Sequence, residues 1–322
     1  MNALVVIDTQ FTAIALPPEE IKLAYDFALA EKAPSTREGY RRDFEMFTGW
    51  CRARGVSPLP ATPESVAAYL ASLAVNGLMP ATISRRVSAI RYAHKLANRE
   101  GPTAVEAVAA TMRGIRRTIQ LPSKRKAPIL ATHVKAMAAL PVPAGAKGLR
   151  DRALLTLGFS GAFRRSELVA LEVADLEFTD DGIRVNIRRS KTDQEGTGAT
   201  IAIIRGSGLS DPVRAVKAWL EAAGITEGAV FRPVRKGGRV RNQRLAAKSV
   251  CDLAKVYARR LGMDPATIGA HSLRSGFLTS AARRGASIFK MKDVSRHKSM
   301  DVLSAYVRDA DLFTDHAGAG LL

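Results

Sequence analysis

Cysteine is scarce in this chain of 322 residues, which contains only Cys51 and Cys251. Two cysteines so far apart lack the close spacing of a structural zinc site, and they offer no disulfide framework of the kind found in small secreted domains. We therefore expect free thiols in a reducing cytoplasm.

Long apolar runs are also lacking. No stretch approaches the roughly 18 residues that a membrane helix needs, so we expect no membrane partner. Segment 1–16 is apolar, but it has no basic n-region and Asp8 interrupts it. That pattern does not fit a signal peptide, and we interpret the segment as an N-terminal arm.

Acidic residues are too few to balance the basic ones. The chain has 49 Lys and Arg against 30 Asp and Glu, a net charge of +19 and an isoelectric point near 10.4. Residues 1–122 hold 15 basic and 11 acidic residues, and the remainder holds 34 and 19. An excess of this size indicates a polyanionic partner, nucleic acid before an acidic membrane.

Residues 17–121 have the apolar spacing of helices almost throughout. In the segment that follows Pro34, the apolar residues Tyr40, Phe44, Phe47 and Trp50 recur every three or four positions. Several segments open with proline and close near glycine, as helices do. We predict an all-α bundle of four or five helices.

The segment 122–130 has two prolines and three basic residues without an acid, which is typical of a linker. The helix before it is equally basic. A solvated helix face would normally interleave acids, so we interpret this stretch as one that follows DNA. Its candidate DNA-binding residues are Arg116, Arg117, Lys124, Arg125 and Lys126.

From residue 131 onward the pattern is mixed. We predict helices over 132–140, 148–160, 210–224, 241–262, 271–285 and 287–296, a short helix after Arg164 and a last helix carrying Tyr306. Ile183, Val185 and Ile187 alternate with polar residues, which predicts a strand. A second strand follows in ATIAIIRG, after a glycine-containing turn. The fold class is thus mainly α with a small β-sheet, an α+β domain behind the helical bundle.

Four separated stretches carry polar residues whose chemistry fits together. The stretches contain an arginine where a helix begins, a lysine on the predicted turn, a His-x-x-Arg pair on one helical face and a histidine nine residues before a tyrosine. They are Arg164 and Glu167 in GAFRRSELVAL, Lys191 in RRSKTDQEG, His271 and Arg274 in HSLRSGF, and His297 and Tyr306 in RHKSMDVLSAY.

In this order the residues resemble the active-site signature of the tyrosine recombinases, the phage integrase family. The resemblance covers residues 17–322 and implies a two-domain, C-shaped DNA clamp. Its parts would be the arm 1–16, a helical SAM-like core-binding domain 17–121, the basic linker 122–130 and a catalytic domain 131–322 with a C-terminal tail. One departure is Arg296, where the family usually has glycine. We expect that side chain to crowd or contact the phosphate backbone.

The residue types suit the chemistry independently of the resemblance. A phosphodiester is anionic and poorly electrophilic, so cleavage without metal requires fixed cations at its nonbridging oxygens. Arg164 and Arg274 would supply planar, always-charged forks, with Arg165 as the alternative to Arg164. A phenol, with a pKa near ~10, leaves more readily than an alkoxide, so a bond to Tyr306 would conserve the energy of the phosphodiester without ATP. Tyr257 is the alternative nucleophile.

The resemblance implies roles for the remaining residues. Lys191 would protonate the departing 5′-oxygen, His271 would hydrogen-bond phosphate and help take the tyrosine proton, and His297 would donate to a nonbridging oxygen. Glu167 is expected to orient His271 or Arg164. No cysteine or carboxylate cluster accompanies the histidines at ligand spacing, so we predict no metal and no cofactor. The other histidines are interpreted as surface residues: His94, His133 and His316.

Further candidate DNA-binding residues lie on two helices of the bundle and on one basic stretch of the second domain. A basic amphipathic helix suits the major groove, although each residue could contact phosphate only. They are Thr82, Arg85, Arg86, Arg91 and Lys95 on the helix that opens at Pro80, Arg37, Arg41 and Arg42 on the helix after Pro34, and Arg235, Lys236, Arg239 and Arg241 in FRPVRKGGRVRNQR.

The resemblance implies a site-specific recombinase of the simple Cre and Xer type. Such a protein would exchange strands between short inverted-repeat sites in double-stranded DNA through a Holliday junction, as a dimer per site and a homo-tetramer on two sites. The setting would be prokaryotic nucleoid, plasmid or phage DNA in the cytoplasm. Three other interpretations stay open: a type IB topoisomerase with the same catalytic residues, a non-enzymatic DNA-binding protein, and a metal-dependent nuclease.

Overall fold

The computed structural model describes residues 17–120, 126–141, 145–188 and 198–310, apart from the side chains of Leu29, Asp309 and Ala310. The predictions for segment 1–16, for Lys124, Arg125 and Lys191, for the strand-connecting turn and for the tail after 310 lie outside the described residues. The chain divides into two compact units, Met1–Ser123 and Lys124–Leu322, at a point within the predicted linker.

Unit 1 is an α-helical bundle, which confirms the prediction from sequence. Four of the five α-helices in its described residues have proline in the first turn, where the missing N–H breaks no helical hydrogen bond. The core includes Phe47, Val66, Leu70, Ile83 and Ile90, all fully buried. The helices are α1 (Pro18–Ala30), α2 (Pro34–Arg52), α3 (Pro63–Val75), α4 (Pro80–Leu96) and α5 (Glu106–Thr118).

His94 corrects one expectation, because it is a core residue of this bundle and not a surface one. Its side chain is 0% exposed. The backbone N–H of Ala61 donates to Nε2 at 2.9 Å, so Nδ1 carries the proton and donates to the carbonyl of Ile90 at 2.8 Å. Burial lowers the pKa of His94. The histidine therefore satisfies two buried backbone groups as a neutral ring.

Unit 2 combines eight helices with a small antiparallel sheet in its described residues, as predicted. The sheet has the strand order β1-β2-β3, and Val185 of the central strand pairs with Leu176 on one side and Ile201 on the other. The strands are β1 (Leu176–Phe178), β2 (Gly182–Ile187) and β3 (Ala199–Ile204). The helices are α6 (Ala131–Ala139), α7 (Ala146–Ser160), α8 (Arg165–Ala170), α9 (Pro212–Ala222), α10 (Ala247–Arg260), α11 (Ser272–Ala282), α12 (Ile288–Ser295) and α13 (Met300–Ala310).

Two elements differ from the sequence-based prediction. Strand β1 was not predicted, because three residues are too few to establish a period of two. Helix α10 begins at Ala247 and not at 241, because residues 241–246 are irregular and follow a turn in which Val234 and Val240 form a β-bridge. Gly237 and Gly238 both have positive φ at the tip of that turn. No helix in the described parts of the chain is long and apolar enough to cross a bilayer.

The C-terminal half of the predicted linker fixes the start of α11. The backbone N–H of Ala127 donates to the carbonyl of Thr267, and that of Ile129 donates to the carbonyl of Ser272, both at 2.8 Å. The close approach requires Gly276, since a Cβ at this position would lie 1.8 Å from the Ile129 carbonyl oxygen. These contacts hold the helix that carries Arg274.

Candidate active site

Arg164 and Glu167 form a fixed pair at the start of α8. Arg164 is the N-cap residue and Glu167 is the third helical residue, so the carboxylate reaches back to the exposed end of the helix. Its Oε2 accepts the Arg164 backbone N–H at 2.9 Å, and its Oε1 accepts Nη1 of Arg164 at 2.5 Å. Arg165 is exposed. The geometry thus places Arg164, and not its neighbour, in the buried cluster.

Glu167 is buried between two arginines. Only 3% of the residue is exposed, and Arg296 donates from Nη2 to Oε2 at 2.8 Å. Burial raises the pKa of Glu167, but the charge of Arg296 and the hydrogen bonds from Arg164 outweigh it and hold the pKa below its usual range. The carboxylate is therefore ionised at neutral pH and shared by two guanidinium groups.

Arg274 lies on α11 and is 4% exposed. Its Nη1 donates to the carbonyl of Ala162 at 2.6 Å, and its Nη2 donates to the carbonyl of Ser295. Burial and the nearby charge of Arg164 lower the pKa of Arg274 to about 9. The group remains cationic at neutral pH, but its positive charge is only partly compensated by its surroundings, so an anion would stabilise it.

His297 packs against the Arg274 guanidinium. Arg274 Nη2 lies 3.3 Å from Nδ1 and 3.4 Å from Nε2, and near-equal distances to both ring nitrogens place it over the ring face. The Ser295 hydroxyl lies 2.8 Å from Nδ1. Burial and the charges of Arg274, Arg164 and Arg296 lower the pKa of His297 to about 4. The ring is therefore neutral at physiological pH and has one N–H to donate.

His271 and Tyr306 flank this cluster on two helices of unit 2. His271 is the N-cap residue of α11 and is exposed, three residues before Arg274. Tyr306 lies on α13 and is half-buried against the cluster formed by Leu278 and Leu303. Tyr306 is close enough to Arg274 for its charge to affect the pKa of that residue. Six other polar residues were predicted to accompany Arg274. The structure brings five of them around it, namely Arg164, Glu167, His271, His297 and Tyr306, and Lys191 lies outside the described residues.

Tyr257, the alternative nucleophile, is separated from this cluster. It is 2% exposed and packs in the core beside α6 and α7. Burial and the charge of Asp151 raise the pKa of Tyr257 to about 12. A hydroxyl that is inaccessible and hard to ionise is a poor nucleophile, which favours Tyr306.

Arg296 is the residue whose environment the sequence did not predict. We expected its side chain to crowd or contact a phosphate backbone, but it turns inward to Glu167 and is only 9% exposed. Its guanidinium carbon lies 5.3 Å from the centre of the Phe163 ring. The sequence offered one signal of this unusual environment: an arginine occupies the position before His297, where a tight turn would favour glycine.

Most candidate DNA-binding residues of unit 1 are exposed, and several are paired with acids. Arg41 and Arg42 both bind Glu38, and Arg85 makes a two-pronged contact with the buried Asp43 at 2.7 and 2.9 Å. Lys95 lies 3.7 Å from Glu31. Arg37 and Thr82 are half-buried, whereas Arg91, Arg116 and Arg117 are exposed.

Arg86 corrects the prediction that its side chain binds DNA. It is 7% exposed, and its Nη1 donates to the hydroxyl of Tyr69 at 2.7 Å. Its Nε lies 4.0 Å from Asp43. A guanidinium held inside the bundle is not available to phosphate or bases, so Arg86 belongs to the polar core.

The basic candidates of unit 2 that the structure describes lie at two places. Lys126 is exposed, and its ammonium donates to the carbonyl of Ala266 at 2.7 Å. The others surround the glycine-tipped turn, where the N–H of Arg235 donates to the carbonyl of Arg239 at 3.0 Å. Lys236 is exposed there and Arg241 is half-buried. In the described residues no three histidine, cysteine or carboxylate side chains come together as metal ligands would.

Known proteins resemble both units. The model of the phage integrase family matches residues 131–312, and the model of the phage integrase N-terminal SAM-like domain matches residues 25–101. The chain is 39% identical over 290 residues to an integrase/recombinase xerD homolog of Selenomonas ruminantium, covering 89% of this chain and 85% of that one. It is 24% identical over 283 residues to the recombinase cre of Escherichia phage P1, covering 82% and 81%.

The fold is also shared with a solved structure. The lambda integrase fragment 75–356, crystallised as a dimer bound to a COC′ core site, matches with a TM-score of 0.58 and 20% identity. The match covers 92% of this chain and 98% of that one. At this identity the similarity establishes the fold.

Proposed function

Because the chain belongs to the phage integrase family of site-specific tyrosine recombinases, we propose that it exchanges DNA strands through a covalent bond between Tyr306 and a 3′-phosphate. Site-specific recombination of double-stranded DNA follows from the family. The covalent intermediate, the residue roles and the assembly are our proposal.

The observation that carries the proposal is the buried charge cluster around Arg274. Arg164 and Arg274 repel each other, since the charge of Arg164 lowers the pKa of Arg274. Two buried cations held together by backbone carbonyls and one carboxylate leave a surplus of positive charge that a scissile phosphate would neutralise. The nonbridging oxygens of a phosphodiester match the planar forks of the two arginines.

In the proposed step, the Tyr306 hydroxyl oxygen attacks the scissile phosphorus and the bond from phosphorus to the 5′-oxygen breaks. The phenol proton passes to His271, and Lys191 gives a proton to the departing 5′-oxygen. His297 donates its N–H to a nonbridging oxygen while it stays neutral. Attack by the 5′-hydroxyl of another strand reverses the step and releases Tyr306. Two such exchanges would form and resolve a Holliday junction.

No metal or nucleotide enters this scheme. The arginines take the electrostatic role that a metal ion has in other phosphoryl-transfer sites, and the phosphotyrosyl bond keeps the energy of the phosphodiester. We propose that the basic residues of both units bind the duplex, with one dimer per site and a tetramer on two sites.

The test first locates the binding site by protection mapping on the neighbouring genomic or plasmid DNA. A nicked suicide substrate that contains this site is then incubated with the wild-type protein or with Tyr306→Phe. The wild-type protein should form an SDS-resistant adduct on the 3′-phosphate in EDTA without nucleotide, and Tyr306→Phe should bind the site equally well without forming it. An adduct that survives in Tyr306→Phe, or a strict Mg²⁺ requirement for cleavage, would overturn the proposal. Relaxation of supercoiled DNA without strand exchange would point to the topoisomerase alternative.

A further inference from the structure

Arg296 occupies a backbone position that disfavours an arginine. It lies between α12 and His297 with φ 57° and ψ 42°, in the left-handed region. A residue with a Cβ is disfavoured there by about 1–2 kcal/mol. An arginine in such a turn must be held by its side-chain contacts.

The Arg296 side chain makes several contacts with the Arg164 segment. Its Nη2 donates to Glu167 Oε2 at 2.8 Å, and its Nη1 donates to the carbonyl of Gly161 at 3.3 Å. Nη1 also donates to the carbonyl of Val294 at 2.5 Å, and the guanidinium lies over the Phe163 ring. The turn that carries His297 is thereby joined to the segment that carries Arg164.

The contact with Glu167 also changes the charge available to a substrate. Arg164 and Glu167 alone would form a neutral pair, since one carboxylate balances one guanidinium. Arg296 takes Oε2 of the same carboxylate while Arg164 takes Oε1 with its side chain. Glu167 is thus shared, and the group of Arg164, Glu167, Arg296 and Arg274 keeps two net positive charges.

We propose that Arg296 is a positioning residue for strand cleavage, which shares Glu167 with Arg164 so that Arg164 stays oriented and retains positive charge toward the scissile phosphate. This inference rests on the proposed function. It assigns no contact between Arg296 and DNA.

The test compares Arg296→Gly, Arg296→Lys and Glu167→Gln with Arg214→Ala, a control that removes an exposed arginine of α9. Glycine suits the left-handed backbone, so the first variant removes the side chain without straining the turn. For Arg296→Gly we expect half-site binding within about twofold of wild type. Its single-turnover cleavage should be slower by about 10- to 100-fold, the range expected for a misplaced group. Arg296→Lys should retain part of the cleavage rate that Arg296→Gly loses.

A double-variant cycle separates positioning from a general loss of structure. If Arg296 acts through Glu167, Arg296→Gly combined with Glu167→Gln should cleave faster than the product of the two single defects predicts. Independent defects that multiply, or a rate for Arg296→Gly equal to that of Arg214→Ala, would refute the proposal. Lost half-site binding in both Arg296 variants would also refute it, because the role would then be structural. A wild-type protein that forms no adduct would instead refute the proposed function.

Discussion

Replacing Gly276 with alanine should destabilise unit 2, although alanine is the better helix former. The added Cβ would lie 1.8 Å from the Ile129 carbonyl oxygen and 2.4 Å from its carbon. Ordinary contacts at such a position are about 3.4–4 Å, so α11 and residue 129 must separate by more than an ångström. Both opposing atoms belong to backbone, which cannot rotate away as a side chain would.

Three contributions determine the change in the free energy of unfolding: two destabilise unit 2 and one stabilises it. Overpacking of this kind costs about 1–3 kcal/mol, and weakening the bond from Ile129 N–H to Ser272 adds about 1 kcal/mol. Helix propensity returns about 1 kcal/mol. We expect Gly276→Ala to lower the free energy of unfolding of unit 2 by about 2 kcal/mol, which at a slope near 2 kcal/mol/M shifts the urea midpoint by about 1 M.

The chain's two tryptophans make the assay specific for each unit. Trp219 is fully buried in unit 2 and Trp50 lies in unit 1, so fluorescence in a Trp50→Phe background follows unit 2 alone. Gly114→Ala on α5 is the matched control, because no atom lies within 4 Å of its added Cβ. It should stabilise unit 1 by about 0.5–1 kcal/mol when followed by Trp50 in a Trp219→Phe background. An unchanged or raised midpoint for Gly276→Ala would refute the steric argument.

Three further predictions concern the site and the assembly. The pKa of His297 is about 4 in the folded protein and about 6.5 when unfolded, so stability is lost as pH falls from 6.5 to 4. Urea titrations of His297→Gln should show a shallower loss, and parallel curves would contradict the shift. Lys191→Ala should cleave normal DNA slowly, and a 5′-bridging sulfur, which leaves without a proton, should restore the rate. Equal defects on both substrates would leave Lys191 a phosphate-binding role only. Deleting 311–322 should preserve half-site binding but weaken binding of the second protomer and synapsis. A truncated protein that recombines normally would exclude the tail as the contact between protomers.

The local sequence was sufficient for most of the elements and for the choice of candidate site residues. Helices with proline at the first turn, and the alternation in β2, depend on short-range periodicity and backbone sterics, so they could be predicted. Arg164, Arg274 and Tyr306 could be selected as candidates because their residue types suit the chemistry of a phosphodiester. Strand β1 was missed because its pairing with β2, and not its own sequence, makes it a strand.

The tertiary structure decided which charged side chains face inward. Arg85 and Arg86 are adjacent on α4 and chemically identical, yet Arg85 is 59% exposed by side chain and Arg86 is buried on Tyr69. Arg296 was expected to contact a phosphate backbone, and it turned out to bind Glu167. Periodicity indicates which face of a helix is apolar, but it does not show where a buried carboxylate will pair with a cationic side chain. That information arises only when distant segments pack, because the free energy of burying a charge depends on its partner.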